Sequence, residues 1–211
     1  MSIQALVFDV DGTLAETEEL HRHAFNAAFE AARLTWRWDR SLYQYLLHVT
    51  GGRERISHFI ERFQPPGGEA FTESQIAALH ADKTQHYGRV VASGALSLRP
   101  GVERLLREAQ GSGLQLAIAT TTNRANVEAL FKAAFGMESG DLFEVIGAGE
   151  QAKAKKPSPE IYHWVLEQLA LPPEKCVALE DSANGLLAAS AAGIATVVTP
   201  MDCSRCHDQE A

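Results

Sequence analysis

The chain has few cysteines, no long apolar run and no excess of positive charge. Its three cysteines are too few, and odd in number, for a disulfide framework, so we expect a cytoplasmic protein. No apolar run is long enough to cross a bilayer and no basic-then-apolar signal segment opens the chain, so we expect no membrane partner. The net charge of -8 argues against a nucleic-acid partner, which would need a basic face.

Short apolar runs alternate with helical patterns along most of the 211 residues. This alternation predicts parallel strands joined by right-handed helical crossovers, an α/β fold with a Rossmann-like sheet as its core. The predicted strands cover residues 5–9, 114–120, 143–147, 176–180 and 195–198. The predicted helices outside the 38–91 stretch cover residues 18–32, 100–111, 124–134, 159–169 and 182–192.

One long stretch interrupts the alternation after the first strand. It contains helical patterns but no convincing strand, with breaks near Gly51-Gly52 and at Pro65-Pro66-Gly67-Gly68. We interpret residues 17–90 as an inserted α-helical cap domain, and residues 1–16 and 91–211 as the core domain. The connecting segments near Ala15-Glu16 and Leu96–Arg99 are expected to let the cap close over a bound substrate.

Two carboxylates follow the first strand, in the run Asp9-Val10-Asp11-Gly12-Thr13. A solvated turn is an alternative, since Asp and Gly are common in turns, but the preceding Ala5-Leu6-Val7-Phe8 reads as a strand buried on both faces. A calcium loop is excluded, because Leu14 and Leu20 stand where its glycine and its final glutamate belong. The pair is therefore interpreted as a catalytic site with room for a metal.

Further polar groups follow the other strands, where ligands of open parallel sheets bind. They are the run Thr120-Thr121-Thr122-Asn123, Lys156 within Lys155-Lys156-Pro157, and Glu180-Asp181-Ser182. Each has a plainer explanation: a threonine or Glu-Asp-Ser segment caps helices, and lysines usually face solvent. Their shared position at strand ends nevertheless predicts a site for a divalent cation and a phosphate.

The motifs DVDGT, LAIAT, KKPSP and LEDSANG, in this order, resemble those of the haloacid dehalogenase superfamily of phosphotransferases. The helical insert resembles the cap of its β-phosphoglucomutase-like members. The runs AETEELH, TGGRERI, ATTTN and KKPSPEIY resemble the CbbY-type phosphatases associated with the Calvin cycle, which hydrolyse xylulose-1,5-bisphosphate. The resemblance covers essentially the whole chain.

The resemblance implies a role for each core motif. Asp9 would attack phosphorus and form an aspartyl-phosphate, and Asp11 would act as the acid and then the base. The Thr120 hydroxyl, the Thr121 backbone amide and the Lys156 ammonium would hold the transferring phosphoryl oxygens.

The implied cofactor is Mg²⁺, which prefers oxygen ligands. Its expected ligands are the Asp9 side chain, the backbone carbonyl of Asp11 and the Asp181 carboxylate, with Glu180 acting through a water molecule.

Substrate specificity is expected to reside in the cap. His21 and Arg53 match substrate-contacting positions of the β-phosphoglucomutase-like relatives, and Glu18 beside them is a candidate for binding sugar hydroxyls. Lys83 is a candidate for a distal phosphate. Ordinary surface charge is the alternative for Arg53 and Lys83. We also include Thr121 and Thr122 among the predicted substrate-binding residues.

The leading hypothesis is a monomeric, Mg²⁺-dependent phosphatase of phosphorylated sugars, with hydrolysis of xylulose-1,5-bisphosphate to xylulose 5-phosphate as the expected reaction. A β-phosphoglucomutase-like phosphomutase is the alternative, because it uses the same core chemistry. A non-catalytic module of the same fold is the third hypothesis, and the intact motifs argue against it. The run Cys203-Ser204-Arg205-Cys206-His207 formally resembles a haem-attachment motif, but we interpret it as a frayed tail.

Overall fold

A computed structural model of the chain describes residues 2–93, 96 and 98–199. Backbone contacts divide the chain into two compact units. The sheet unit comprises Met1–Glu16, Leu98–Thr120 and Gly140–Ala211, and the helical unit comprises Thr17–Ser97 and Thr121–Ser139. The division into a cap of residues 17–90 and a core stays a prediction. Ser97 of the predicted connecting segment and the run from Cys203 to His207 lie outside the described residues.

The sheet unit is built on a parallel sheet with the strand order β3-β2-β1-β4-β5. Its pairings are parallel throughout, so the prediction of a Rossmann-like parallel sheet is confirmed. The strands are β1 (Ala5–Phe8), β2 (Gln115–Ala119), β3 (Val145–Gly147), β4 (Cys176–Glu180) and β5 (Ala195–Val198). They differ from the predicted strands by at most two residues at either end.

The helices of the sheet unit are α5 (Val102–Gly111), α7 (Glu160–Leu169) and α8 (Ala183–Ala191). The central strand β1 is apolar because both of its faces are covered, and Ala5 and Val7 have no exposed surface. The apolar side of α7 packs in the same core cluster, with Tyr162 and Val165 fully buried. The polar groups that follow the strands are thereby held at one edge of a closely packed sheet.

The helical unit has an aromatic core instead of a sheet. Its helices are α1 (Glu18–Ala31), α2 (Arg40–Leu46), α3 (Gly52–Phe63), α4 (Glu73–Ala92) and α6 (Arg124–Phe135). Trp38 is fully buried against Phe25 and Phe29, and the Asn26 side chain pairs with both polar groups of the Trp38 backbone at 2.9 and 2.8 Å. Among the described residues of the 38–91 stretch there is no strand, as the sequence predicts.

No helix within the described ranges has both the length and the apolar character needed to cross a lipid bilayer.

Candidate active site

The carboxyl ends of neighbouring parallel strands bring the predicted core residues to one edge of the sheet. Asp9 directly follows β1, and its backbone N–H donates to the carbonyl of Leu179 in β4 at 3.0 Å. Thr120 follows β2 and is buried, with its N–H donating to the carbonyl of Gly147 at 2.9 Å. Glu180 ends β4. Because β1 pairs in parallel with both β2 and β4, the residues that end or follow these strands lie at the same edge of the sheet, as predicted.

Lys156 connects three of these strand ends. Its buried ammonium donates to Asp9 Oδ1 at 2.8 Å, to Glu180 Oε1 at 2.6 Å and to the carbonyl of Ala119 at 2.7 Å. An ammonium has three N–H donors, so all three are engaged. Both ion pairs lie in the protein interior, where water screens them little. Lys156 is therefore a fixed positive charge between two buried carboxylates.

The loop that presents Lys156 is held by side-chain acceptors. Glu160 in the first turn of α7 accepts the backbone N–H groups of Lys153 and Ala154 at 2.8 and 2.9 Å. Gln151 accepts the N–H of Ala148 at 2.9 Å. These bonds replace the backbone pairing that an irregular loop lacks, and they fix the backbone beside Lys156.

Tyr162 is a member of the site that the sequence analysis missed. Its hydroxyl donates to Glu180 Oε1 at 2.5 Å, and its ring centroid lies 5.2 Å from the Lys156 ammonium. Burial raises the pKa of the Tyr162 phenol well above its usual range, so the hydroxyl keeps its proton and donates. The signal was present in the run KKPSPEIY, in which Tyr162 falls in the first turn of α7, six residues after Lys156.

The charges at this site are dominated by carboxylates. Burial raises the pKa of Asp9 well above its usual range, and Glu180 and Asp181 act in the same direction against the opposing charge of Lys156. Burial alone would lower the pKa of Lys156, but Asp9, Tyr162 and Glu180 together raise it well above its usual value. The site therefore holds a charged lysine and more carboxyl groups than one lysine can neutralise, and an additional cation would favour their ionised forms.

Three carboxylates are placed so that one cation could bind all of them. Oxygen atoms of Asp9, Glu180 and Asp181 lie within 4.8 Å of one another, and these three form the one such acidic group among the described residues. Glu180 Oε2 is buried and has no hydrogen-bond partner in the described part of the chain. An orphaned buried carboxylate oxygen is costly, so this donor set fits a hard divalent cation. The contribution of the Asp11 backbone carbonyl stays a prediction.

Two glycines give these carboxylates their space. Gly12 has φ +79°, and a Cβ atom there would lie 2.0 Å from Asp181 Oδ2. A Cβ atom on Gly185 would lie 1.8 Å from Glu180 Oε2. Gly185 was not predicted to belong to the site, although it stands in the LEDSANG motif. Both carboxylates occupy volume that any other residue at these positions would fill.

Arg99 ties the turn after β1 to the end of the sheet. Its guanidinium donates to the carbonyls of Gly12 and Thr199, the latter at 2.8 Å, and pairs with Glu16 at 2.9 Å. Thr199 in turn donates its backbone N–H to the carbonyl of Glu180 at 2.7 Å. The first and last motifs of the site are thus connected through two further residues.

In the helical unit, His21 and Lys83 form one buried pair. The Lys83 ammonium lies 2.8 Å from His21 Nδ1 and near the rings of Phe25 and Tyr87, at 4.9 and 5.2 Å. His21 stacks on Tyr87 with the ring centroids 4.1 Å apart. Both predicted residues are only 6 % and 5 % exposed, so the alternative of ordinary surface charge does not hold for Lys83.

Glu18 belongs to a second polar chain in the helical unit. It accepts the hydroxyl of Tyr43 at 2.9 Å, and Arg55 donates to the same Tyr43 oxygen at 3.0 Å. Tyr43 and Arg55 were not predicted, because nothing local to α2 or α3 indicates that they meet Glu18.

The remaining predicted residues are not part of these clusters. Arg53 is exposed in the first turn of α3. Thr122 accepts a hydrogen bond from Asn126 at 3.0 Å beside the amino end of α6, and Thr121 is half-buried next to it. Asp11 is half-buried in the turn after β1. Their predicted roles stay predictions.

The fold is that of a known hydrolase family. The family model described as haloacid dehalogenase-like hydrolase matches residues 3–193, and the chain belongs to this family. It is an enzyme of the phosphatase type, as the sequence analysis predicts.

Among its relatives, the chain is similar to the protein CbbY of Rhodobacter capsulatus, with 50% identity over 99% of this chain and 90% of the relative. A crystal structure of a CbbY mutant from Rhodobacter sphaeroides with xylulose-1,5-bisphosphate has a TM-score of 0.89 and 48% identity, covering 94% of this chain and 86% of that chain. A β-phosphoglucomutase from Clostridium difficile shares the fold, with a TM-score of 0.79, 21% identity, and coverage of 93% of this chain and 84% of that chain. The recognised resemblance to CbbY-type members is confirmed.

Proposed function

We propose that the protein is a Mg²⁺-dependent phosphatase of phosphorylated sugars that hydrolyses xylulose-1,5-bisphosphate to xylulose 5-phosphate, in the cytoplasm and in connection with the Calvin cycle. The observation that carries the proposal is the buried bridge of Lys156 between Asp9 and Glu180 at the strand ends. The bound sugar bisphosphate in the related CbbY structure supports the choice of substrate.

In this proposal Asp9 is the nucleophile. Its carboxylate attacks phosphorus, the bond to the sugar oxygen breaks, and an aspartyl-phosphate forms. Asp11 gives its proton to the leaving sugar oxygen and then takes a proton from the water that hydrolyses the intermediate. The two roles need opposite protonation states. Burial raises the pKa of Asp9, and the Lys156 ammonium, which donates to Asp9 Oδ1 at 2.8 Å, opposes this and favours the ionised form that the nucleophile needs.

Asp9, Asp181 and the Asp11 backbone carbonyl would hold the metal ion, with Glu180 acting through a water molecule. Mg²⁺ at this position would neutralise the negative charge of the carboxylates and of the phosphoryl group. The excess of carboxylates over Lys156 and the orphaned Glu180 oxygen support this assignment.

The phosphoryl oxygens would bind Lys156, the Thr120 hydroxyl and the Thr121 amide. Such contacts stabilise the charge that develops during phosphoryl transfer. In the helical unit Glu18, His21, Arg53 and Lys83 stay the proposed determinants of sugar specificity, with Thr122 as a further candidate. The buried position of the His21–Lys83 pair supports a polar role, since an amine buried near an imidazole needs partners.

The test is phosphate release from a panel of sugar monophosphates and bisphosphates, with Mg²⁺ or with a chelator. We expect turnover of xylulose-1,5-bisphosphate that the chelator abolishes, and a loss of at least about 1000-fold in Asp9→Asn because the nucleophile is gone. Asp141→Asn, which changes an exposed aspartate, is the matched control. Turnover by Asp9→Asn at the parent rate contradicts the mechanism, and an isomerised sugar phosphate in place of free phosphate supports the mutase alternative.

A further inference from the structure

One oxygen atom, Glu180 Oε1, accepts two of the shortest hydrogen bonds of the site. Lys156 donates to it at 2.6 Å and Tyr162 at 2.5 Å. Lys156 uses its other two N–H groups on Asp9 and on the carbonyl of Ala119. No N–H of the ammonium is left over for a further acceptor.

This arrangement matters if Lys156 also binds a phosphoryl oxygen, a step that rests on the function proposed above. The ammonium must then give up or share one of its three acceptors. Asp9 is the proposed nucleophile beside the phosphorus, and the carbonyl of Ala119 is fixed in β2. Glu180 Oε1 keeps a second donor, the Tyr162 hydroxyl, when Lys156 leaves it. Releasing this acceptor therefore costs Lys156 the least free energy.

We propose that Tyr162 is a positioning residue for phosphoryl transfer, whose hydroxyl keeps Glu180 bound while Lys156 exchanges this carboxylate for a phosphoryl oxygen. No bond to the tyrosine is made or broken in the reaction, and its proton stays on the phenol oxygen.

The surroundings of Glu180 explain why a second donor is needed. The carboxylate is fully buried, so leaving its oxygen without a donor costs free energy. It also has little room to turn toward another donor, because its Oε2 occupies the place where a Cβ atom of Gly185 would be. Without the Tyr162 hydroxyl, Glu180 Oε1 would depend on Lys156 alone and would hold the ammonium away from the substrate.

Tyr162→Phe is the test, because it removes one oxygen and keeps the ring that packs in the core and faces Lys156. A hydrogen bond to a charged group is worth about 1.5–3 kcal/mol, so we expect kcat to fall roughly 10- to 150-fold. KM should change less than about threefold, because the exchange is made on the way to the transition state. Thermal shift with Mg²⁺ and beryllium fluoride, a phosphoryl mimic, gives a readout independent of turnover, and the shift should be smaller in Tyr162→Phe than in the parent.

Trp164→Phe is the matched control, since Trp164 is a partly buried aromatic residue of α7 that packs against the same core cluster. It should lower the melting temperature while keeping kcat and the beryllium fluoride shift. Parental kcat and shift in Tyr162→Phe, or equal losses of both in Trp164→Phe, would overturn the inference. If the parent enzyme itself releases no phosphate, the proposed function fails instead, so the two failures are distinguishable.

Discussion

At the scale of single residues, the site depends on missing atoms as much as on functional groups. Gly12 and Gly185 each leave the volume of one methyl group to a carboxylate, Asp181 and Glu180 respectively. Gly12 also has a backbone conformation that residues other than glycine rarely adopt. Gly185 lies in α8, so a side chain is excluded there by lack of space and not by the backbone conformation. Gly185 therefore offers a clean test of space alone.

Gly185→Ala places a methyl group on the Glu180 carboxylate. We expect a loss of about 100-fold in kcat, because the carboxylate that binds Lys156 and Tyr162 must move, and a loss of about 1–3 kcal/mol in the free energy of unfolding from overpacking. Steady-state kinetics and urea unfolding measure the two effects.

Gly111→Ala is the control, because a Cβ atom there meets nothing within 4 Å in α5. It should keep kcat and raise the free energy of unfolding by up to about 1 kcal/mol, as alanine favours helix. Parental activity in Gly185→Ala would show that Glu180 tolerates displacement.

At the scale of elements, local patterns predicted most of the strands and helices. Alternating apolar runs located β1 and β4 to within one residue, and the resulting strand ends placed Asp9, Lys156 and Glu180 in one site. Contacts between residues far apart in sequence were missed, such as Tyr162 with Glu180, 18 residues away, and Arg55 with Tyr43, 12 residues away. The hydrophobic periodicity of a helix or strand predicts which face is buried, but it does not predict which polar atoms form hydrogen bonds with each other.

The hydrogen bonds of Glu128 in α6 predict a measurable pH dependence of the free energy of unfolding. Glu128 in α6 accepts both the hydroxyl and the backbone N–H of Ser139, and it pairs with Arg124. Partial burial opposes ionisation, but these bonds outweigh it and lower the pKa of Glu128 from 4.5 to about 2. Because the folded-state pKa is depressed, the stabilisation is present above the unfolded value and is lost as the pH falls toward 2.

Glu128→Gln should lower the free energy of unfolding by about 1–2 kcal/mol at neutral pH, a value reduced for solvent screening of a partly exposed group. The difference from the parent should shrink between pH 4.5 and about 2, as measured by urea unfolding at several pH values. Glu103→Gln removes the exposed ion pair with Arg107 and is the control, with an expected change below about 1 kcal/mol. A pH-independent difference would contradict the assignment.

At the scale of the whole molecule, the acidic balance of the chain has a local counterpart in the carboxylate site. The net charge of -8 disfavours an anionic substrate, and Lys156 alone does not offset Asp9, Glu180 and Asp181. The composition indicates that an anionic substrate needs a locally positive site in this acidic protein. It does not indicate where that site lies, because the location depends on which strand ends are neighbours in the sheet. We expect a bound cation to stabilise the fold as a whole.

Mg²⁺ should therefore raise the melting temperature. At about 100 times its dissociation constant, a ligand that binds only the folded state adds about 2.7 kcal/mol, which corresponds to a rise of roughly 5–10 °C for a chain of this size. Differential scanning calorimetry with Mg²⁺ and with a chelator measures the shift, and Asp181→Asn should reduce it. Equal melting temperatures in both conditions would argue against a metal at these carboxylates.

The hydrogen bonds of Arg99 and Thr199 form a chain at this edge of the sheet unit. The chain runs from the carbonyl of Gly12 through the Arg99 guanidinium to Thr199, and from the Thr199 N–H to the carbonyl of Glu180. Its main-chain members would survive most substitutions at position 199, but not a cut or a fusion joint placed there. The residue that follows the outermost strand therefore helps to hold the backbone of the proposed site, although it contributes no reactive side chain.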